Sequence, residues 1–483
     1  MLVGRVTPSH EGCGKVTETG SRLGSSDAPG TGPSASTVAA TREPEPETPP
    51  TPPEPGTSPE PGTPATPPEP GKRPPDGPPS PSGHLDALDG MRAVAAFAVL
   101  IFHVAIESAT ALQNNFFAAL LSRGDVAVPI FFTLSGLLLY RPYARAVVDG
   151  TRWPGTRTYL VKRALRILPA YWLVVVIALL LWSRDHLGDT KTWLQMVFLA
   201  QNYETDPWWF GLGPKGLAQM WSLCVEVAFY LVLPLLAAGL AWFARRGGGD
   251  AGRRARRLLL GLAALAAVSY LWTVLSYYPD YRPYMNTWLP RALTFFAPGM
   301  ALAVVSVWAR REQDGPAARL VRAVNASPGT LWAVAGLAYA VAASPVTGPR
   351  FSGVDGVWSG VFELALYSTI ALCLVAPCAT LSHGDAPVAR LLGNPVMRYF
   401  GRISYGIFLW QFIALYLWYD LSEQQPFSGN FAGNLLVVGA LTIGLAALTY
   451  KYIEEPARGL ARFLRPSALS ARSQEPPPQG RTP

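Results

Sequence analysis

From about residue 85 the chain alternates apolar runs of 17 to 23 residues with short polar segments. That is the length about 30 Å of hydrocarbon requires of an α-helix rising ~1.5 Å per residue. Ten runs meet it: 91–110, 126–144, 165–183, 221–243, 258–278, 290–309, 329–345, 358–380, 402–420 and 433–453. A shorter run, Trp193 to Ala200, fits a re-entrant or interfacial segment. The pattern predicts an all-α polytopic membrane protein of ten transmembrane helices, with the lipid bilayer as its first partner.

Charge adds a direction. Segments 141–166, 245–257, 310–322, 390–402 and 451–465 carry seven, six, four, three and four Lys or Arg, whereas loops 111–125, 184–220, 279–289, 346–357 and 421–432 carry three at most. Basic residues are retained on the cytoplasmic side, so the alternation predicts both termini in the cytoplasm and those five loops outside, in the cell membrane. The net charge of +8 is absorbed by this asymmetry, and without a recognition motif it points to no nucleic acid.

The flanks are of another kind. Residues 1–84 hold few large apolar side chains and a near-repeat at Thr51–Gly56, Thr57–Gly62 and Thr66–Gly71, so a disordered, polyproline-like cytoplasmic tail is expected there. It serves as a flexible spacer or as a ligand for polyproline-reading partners. It has no apolar h-region, so no cleaved signal peptide is expected. A second polar tail is expected at 466–483. Cys13, Cys224, Cys373 and Cys378 have no metal or disulfide spacing, and no P-loop, nucleophile elbow or metalloprotease motif is present, so no metal is expected. Chemistry has to come from polar residues within the spans.

His103 is the first of these. An ionisable group at that depth costs roughly 3 kcal/mol or more and usually faces a bundle interior where it acts. Arg92 lies eleven residues earlier. Eleven steps of ~100° come within ~20° of three turns, so both side chains share a face ~16.5 Å apart along the axis. That reads as a base in the membrane with a cation at its mouth; the plainer reading is a snorkelling anchor and an interhelical hydrogen bond. Arg163 and Arg166, beside Lys162, are guanidinium forks suited to phosphate, or ordinary cytoplasmic anchors. Ser135-Gly136 interrupts large apolar residues, which favours close helix packing and also lets Ser135 line a channel. Glu226 lies about five residues into the fourth span, a depth at which it can meet His103; Glu363 in the eighth span is a rival partner.

Together these residues resemble the integral-membrane acyltransferases of family 3. The matching pieces are Leu88 to Ala96 with the basic-x10-His spacing to His103, Phe131-Phe132 with Ser135-Gly136, Arg163-x-x-Arg166 before Pro169, Trp221-Ser222-Leu223 with Glu226, Ile403 to Trp410, and Glu454-Glu455-Pro456. They occur in family order across about 85–465. The resemblance implies O-acyl transfer from a cytoplasmic acyl-CoA co-substrate, with no permanently bound cofactor, to a hydroxyl of a carbohydrate, envelope glycan or secondary metabolite. His103 would be the essential histidine acting as general base, with Glu226 orienting it; a covalent acyl-histidine or acyl-serine route is the variant. Arg92, Arg163 and Arg166 would hold the donor, and Ser135, Trp221, Ser222 and Tyr405 would line the substrate channel. Outward aromatics Trp193, Trp208, Trp209 and Phe210 are candidates for stacking a sugar. Two departures stand out. Gln411 occupies the place after Leu409-Trp410 where a histidine is expected, and no hydrolase-like module follows the tenth run, which leaves later handling of the acyl group to the acceptor or another protein. The competing class is a proton-coupled transporter of a polar or glycosylated metabolite using His103 and Glu226 as a relay, although no internal repeat supports it. A scaffold presenting only the Pro-rich tail leaves His103 unexplained.

Overall fold

The computed structural model describes residues 82–246, 248–348, 356–380 and 387–460, all helix, turn or loop with no strand among them. The Pro-rich stretch before residue 82, Cys13 and segment 466–483 lie outside the described residues. Ten long helices carry the spans: α1 (Ser82–Glu107), α2 (Ala127–Val148), α3 (Thr156–Trp182), α4 (Met220–Arg245), α5 (Ala251–Tyr277), α6 (Leu289–Arg311), α7 (Pro328–Ala343), α8 (Val357–Thr380), α9 (Pro395–Leu421) and α10 (Phe431–Thr449).

Several begin well before the apolar runs that announce them. Hydropathy falls where charge begins, but a helix continues until its backbone donors meet a cap. α1 starts at Ser82, inside the stretch assigned to the tail, and α3 starts nine residues before its apolar run. Asp250, Asn394 and Asn430 cap α5, α9 and α10 by accepting from the amides of Arg253, Met397 and Gly433 at 2.7, 2.9 and 2.8 Å.

The run at 329–345 forms the shortest of these helices. α7 has 16 residues, ~24 Å of rise, and is joined at a 78° bend to the amphipathic helix Pro316–Ala326. Nine described helices are long and apolar enough to cross alone, and this bent pair makes the tenth crossing. Its passage follows from its neighbours. Arg291 at the start of α6 meets Glu363 near the start of α8 at 3.2 Å, so the two helices begin on one side. At the other side the Asn325 amide donates to the Thr380 carbonyl, at the end of α8, at 3.0 Å. Between the two points the chain has to recross.

Small residues set the tightest contact. A Cβ on Gly299 of α6 would lie 1.9 Å from the Thr133 carbonyl oxygen of α2, and one on Gly136 would lie 2.3 Å from that of Phe296. The backbones therefore touch, as small residues allow between helices in lipid. Thr133 Oγ1 adds a bond to the Phe295 carbonyl at 2.8 Å. This contact braces α2, which carries Ser135 on the same turn as Gly136.

Segment 183–203 turns back beside α3. Tyr171 Oη donates to the Met196 carbonyl at 2.6 Å and Trp172 Nε1 to that of Val197 at 3.1 Å, eleven and ten residues before α3 ends. The short helix Thr190–Val197 thus lies about 16 Å along the axis from the end of α3, re-entrant in character. Outside the spans, Lys191 Nζ sits 2.5 Å from Glu204 and holds that carboxyl well below the usual range, at about 2. With the folded value depressed, the pair's contribution is present above the ordinary carboxylate range and is lost only as pH falls towards 2.

The Arg291–Glu363 pair is a structural strut. Arg291 is 6% exposed and also donates to Thr273 Oγ1 at 3.2 Å, tying α5, α6 and α8. Removing one partner strands a buried charge, a change of ~3–5 kcal/mol. Glu363→Ala should therefore lower the melting temperature in detergent and broaden the size-exclusion peak. Activity per folded molecule should stay at the native level.

Candidate active site

The site grows from one stripe of α1. Arg92, Val99 and His103 are spaced seven and four residues apart, so they rise along a single face. Arg92 and Val99 line a cavity of about 250 Å³ closed by α2, α3, α4 and α9. Its polar groups are Arg92, Ser135, Arg163, Arg166, Ser222, Glu226, Tyr230, Ser404 and Tyr405, and its apolar wall includes Phe131, Phe132, Leu138 and Phe408.

Three guanidinium groups meet one carboxylate here. Arg163 and Arg166 lie seven and ten residues inside α3 and line the cavity, while neighbouring Lys162 is exposed. Arg166 is within Coulombic reach of Arg92, Arg163 and Glu454, and Arg163 is within reach of Glu226. Arg92 leans on Asp89 at 3.5 Å. The buried Nε of Arg163 has no hydrogen-bond partner among the described residues. The arrangement keeps a surplus of positive charge and is chemically an anion site.

Glu226 does not orient His103, contrary to the sequence expectation. Its Oε1 accepts from Ser135 Oγ in a short bond and from Tyr230 Oη at 2.6 Å. The imidazole instead pairs with α9: His103 Nδ1 is 3.0 Å from Gln411 Oε1, and the Phe412 ring packs 4.3 Å from it, centroid to centroid. Glu363, the rival partner, is engaged by Arg291. The physical reason is depth. α4 begins inward of the ends of its neighbours, where Gln219 donates to the Leu409 carbonyl at 2.9 Å. Glu226, seven residues further along α4, therefore sits about two turns inward of the layer that holds His103 and Gln411.

His103 itself is not among the cavity-lining residues. It stands one turn outward of Val99, facing α9 in the bundle, and is half-buried. Tyr405 lines the cavity and donates to the Ile167 carbonyl at 2.8 Å, joining α9 to α3. Ser222 lines it from α4. Trp221 is not among the lining residues, and its carbonyl accepts from Asn202 at 2.8 Å. The outward aromatics are largely absorbed in packing, with Trp208 stacked on His186 at 3.6 Å and Trp193 donating to the Leu187 carbonyl at 2.8 Å. Phe210, 81% exposed, stands clear, and Trp208 stays 39% exposed beside its stack.

Sequence reading missed Tyr230 and Ser404 as site residues. Tyr230 had a signal, its i,i+4 spacing from Glu226 on one helix. Glu454 opens the Glu454-Glu455-Pro456 motif. It is buried in the π-turn Tyr450–Glu454, bonded by Arg458 at 2.6 Å, and lies within Coulombic reach of Arg166. That contact, with Arg92 nearby, places the start of α1 and the end of the described chain on one side.

Comparison with known proteins gives one family. A model described as an acyltransferase domain, acyltransferase family 3, matches residues 85–451. The peptidoglycan O-acetyltransferase OatA of Listeria monocytogenes is 26% identical over 396 residues, covering 78% of this chain and 56% of that protein. A Bacillus subtilis protein, YrhL, bearing a peptidoglycan O-acetyltransferase name is 26% identical over 407 residues, 79% of this chain and 56% of that one. A Staphylococcus aureus protein bearing an O-acetyltransferase name is 24% identical over 393 residues, 78% and 57%. This chain thus spans little more than half the length of these relatives. No solved structure matches. With its all-helical bundle, its guanidinium-lined cavity and a match over most of its length, the chain belongs to the integral-membrane acyltransferase family 3.

Proposed function

We propose that this protein moves an acyl group, acetyl in the simplest case, from a coenzyme A thioester on the cytoplasmic side to a hydroxyl of an envelope glycan outside. The observation that carries the reading is the cavity lined by Arg92, Arg163 and Arg166, of which Arg92 shares a stripe of α1 with His103 three turns away. Two of them, Arg163 and Arg166, would hold donor phosphates at the inner rim. At about 250 Å³ the cavity is smaller than the ~300–1,000 Å³ of a whole-ligand pocket, the right scale for a thioester-bearing arm with the nucleotide left at the rim. The basic segments of the sequence support a cytoplasmic rim, in keeping with a multi-pass place in the cell membrane.

In the transfer step the acceptor oxygen bonds the thioester carbonyl carbon while His103 Nε2 takes its proton. Collapse of the tetrahedral intermediate breaks the carbon–sulfur bond, and the imidazolium returns the proton to the departing thiolate. Glu226, bonded by Ser135 and Tyr230, partly balances the guanidinium charge and fixes the cavity wall. The names of the relatives favour peptidoglycan as acceptor.

The test is reconstitution of the purified chain in liposomes, with radiolabelled acetyl-CoA on one face and soluble peptidoglycan fragments on the other. Alkali-labile label on the glycan is expected. Movement of the fragments across the bilayer with acetyl-CoA intact would instead establish the transporter reading.

A further inference from the structure

His103 is gripped by a side chain to which the transfer step above gives no part. Its Nδ1 lies 3.0 Å from Gln411 Oε1, and Gln411 Nε2 donates to the Phe408 carbonyl at 3.0 Å. A carbonyl only accepts, so the amide must present its NH2 to Phe408, which turns its oxygen to the ring. That oxygen also only accepts, so the ring nitrogen opposite it carries the proton. The polarity of one backbone carbonyl is thereby passed through two hydrogen bonds into the imidazole, with N–H at Nδ1 and a bare lone pair at Nε2. Gln411 is 1% exposed, and the ring is flanked by Phe102 and Phe412 at 5.1 and 4.3 Å between centroids, so water has little access to the amide.

No carboxylate competes for the ring among the described side chains near it. Glu107, one turn outward on α1, accepts from Tyr416 Oη of α9 at 3.1 Å. On α4, Glu226 is taken by Ser135 and Tyr230, and on α8, Glu363 by Arg291. Before α2, Asp125 accepts from Tyr367 Oη at 2.6 Å and Arg123 donates to Thr347 at 2.7 Å. Arg92 is three turns inward on α1 itself.

We propose that Gln411 is a positioning residue that locks His103 in the Nδ1–H tautomer and so reserves Nε2 as the base for the acceptor hydroxyl; the inference rests on the reading of His103 as that base. The place is one where the family resemblance leads to an expectation of histidine. A second imidazole could turn either a donor or an acceptor to His103, whereas a glutamine anchored on Phe408 offers only an acceptor. It is also neutral. It therefore orients the ring without the charge of a carboxylate, which would hold the imidazolium back from returning its proton to the thiolate.

The tautomer is directly observable. In protein labelled with 15N-histidine and placed in bilayers, the signals that disappear in His103→Ala belong to this ring, and they should show a protonated Nδ1 and a bare Nε2 at neutral pH. Gln411→Met keeps length and loses the acceptor. Its kcat with acetyl-CoA and a peptidoglycan disaccharide should fall on the order of tenfold to a hundredfold, between the loss of one hydrogen bond and a wrong tautomer. KM for either substrate should stay within a factor of about two, the behaviour of an interaction made in the transition state. Gln411→Glu, which retains an acceptor for Nδ1–H, should recover part of the loss, a pattern that a merely space-filling role does not produce. Native protein protonated at Nε2, or Gln411→Met with native kcat, overturns the proposal. The two readings separate cleanly: His103→Ala with full transfer removes the base itself, while an inactive His103→Ala beside a fully active Gln411→Met removes only the positioning role. Where Gln411→Met does not fold, the native spectrum alone decides.

Discussion

Replacing His103 by glutamine is expected to lower acetyl transfer by ~10²–10⁴-fold, the contribution of a positioned general base. Glutamine is chosen because alanine does two things at once. His103→Ala removes the base and also leaves Gln411 Oε1, in a buried side chain, without its partner, at a cost of ~1–3 kcal/mol in stability. His103→Gln keeps an N–H for that oxygen and has no lone pair of comparable basicity. The melting temperature should therefore stay near native while kcat collapses, and KM for acetyl-CoA should be little changed because the donor is held by groups three turns inward. Transfer at the native rate by well-folded His103→Gln would refute the base outright, whichever acceptor is used.

The second large effect is expected at the inner rim. Arg163 and Arg166 line the cavity, and Arg163 carries a buried Nε with no hydrogen-bond partner among the described residues. Hydrogen bonds to charged groups contribute ~1.5–3 kcal/mol each, so the double variant Arg163→Gln/Arg166→Gln should raise KM for acetyl-CoA on the order of a hundredfold or more. The same variant should bind desulfo- or dephospho-analogues of the donor with a smaller relative loss in the latter case, because the missing phosphate was the group being held. Lys162→Gln is the control. Lys162 differs from Arg163 by one position and is exposed, so it should change KM by no more than about a factor of two. Equal effects of all three positions would reduce the cluster to ordinary membrane anchoring. The double variant also leaves Glu226 facing fewer cations, but its bonds to Ser135 and Tyr230 remain to keep the wall in place.

Much of this was readable in one dimension. The crossings, the basic sides and the Arg92–His103 stripe depend on properties that are local along the chain: hydropathy, charge and a fixed rotation per residue. The small pair Ser135-Gly136 was readable too, since only the absence of a side chain lets two backbones touch in lipid; Gly136 does the packing and Ser135 turns to the cavity. The α7 crossing was less legible, because an amphipathic helix before a short apolar one looks the same on a hydropathy scale whether the chain bends or runs straight.

The partners were not readable at all. His103 was matched to Glu226 by counting depth from the expected ends of two helices, yet α4 starts well inward of its neighbours and carries Glu226 past the imidazole. Gln411, 308 residues away from His103, entered as the place where a histidine was missing and proved to be the residue that holds the ring. The sequence alone determined which segments enter the membrane and which polar side chains go in with them, because the transfer of each segment into lipid is decided by its own composition. Only the tertiary structure decided which of those side chains meet, because inside lipid the pairing of buried polar groups follows the relative depth and rotation of helices distant in the chain, and packing sets both.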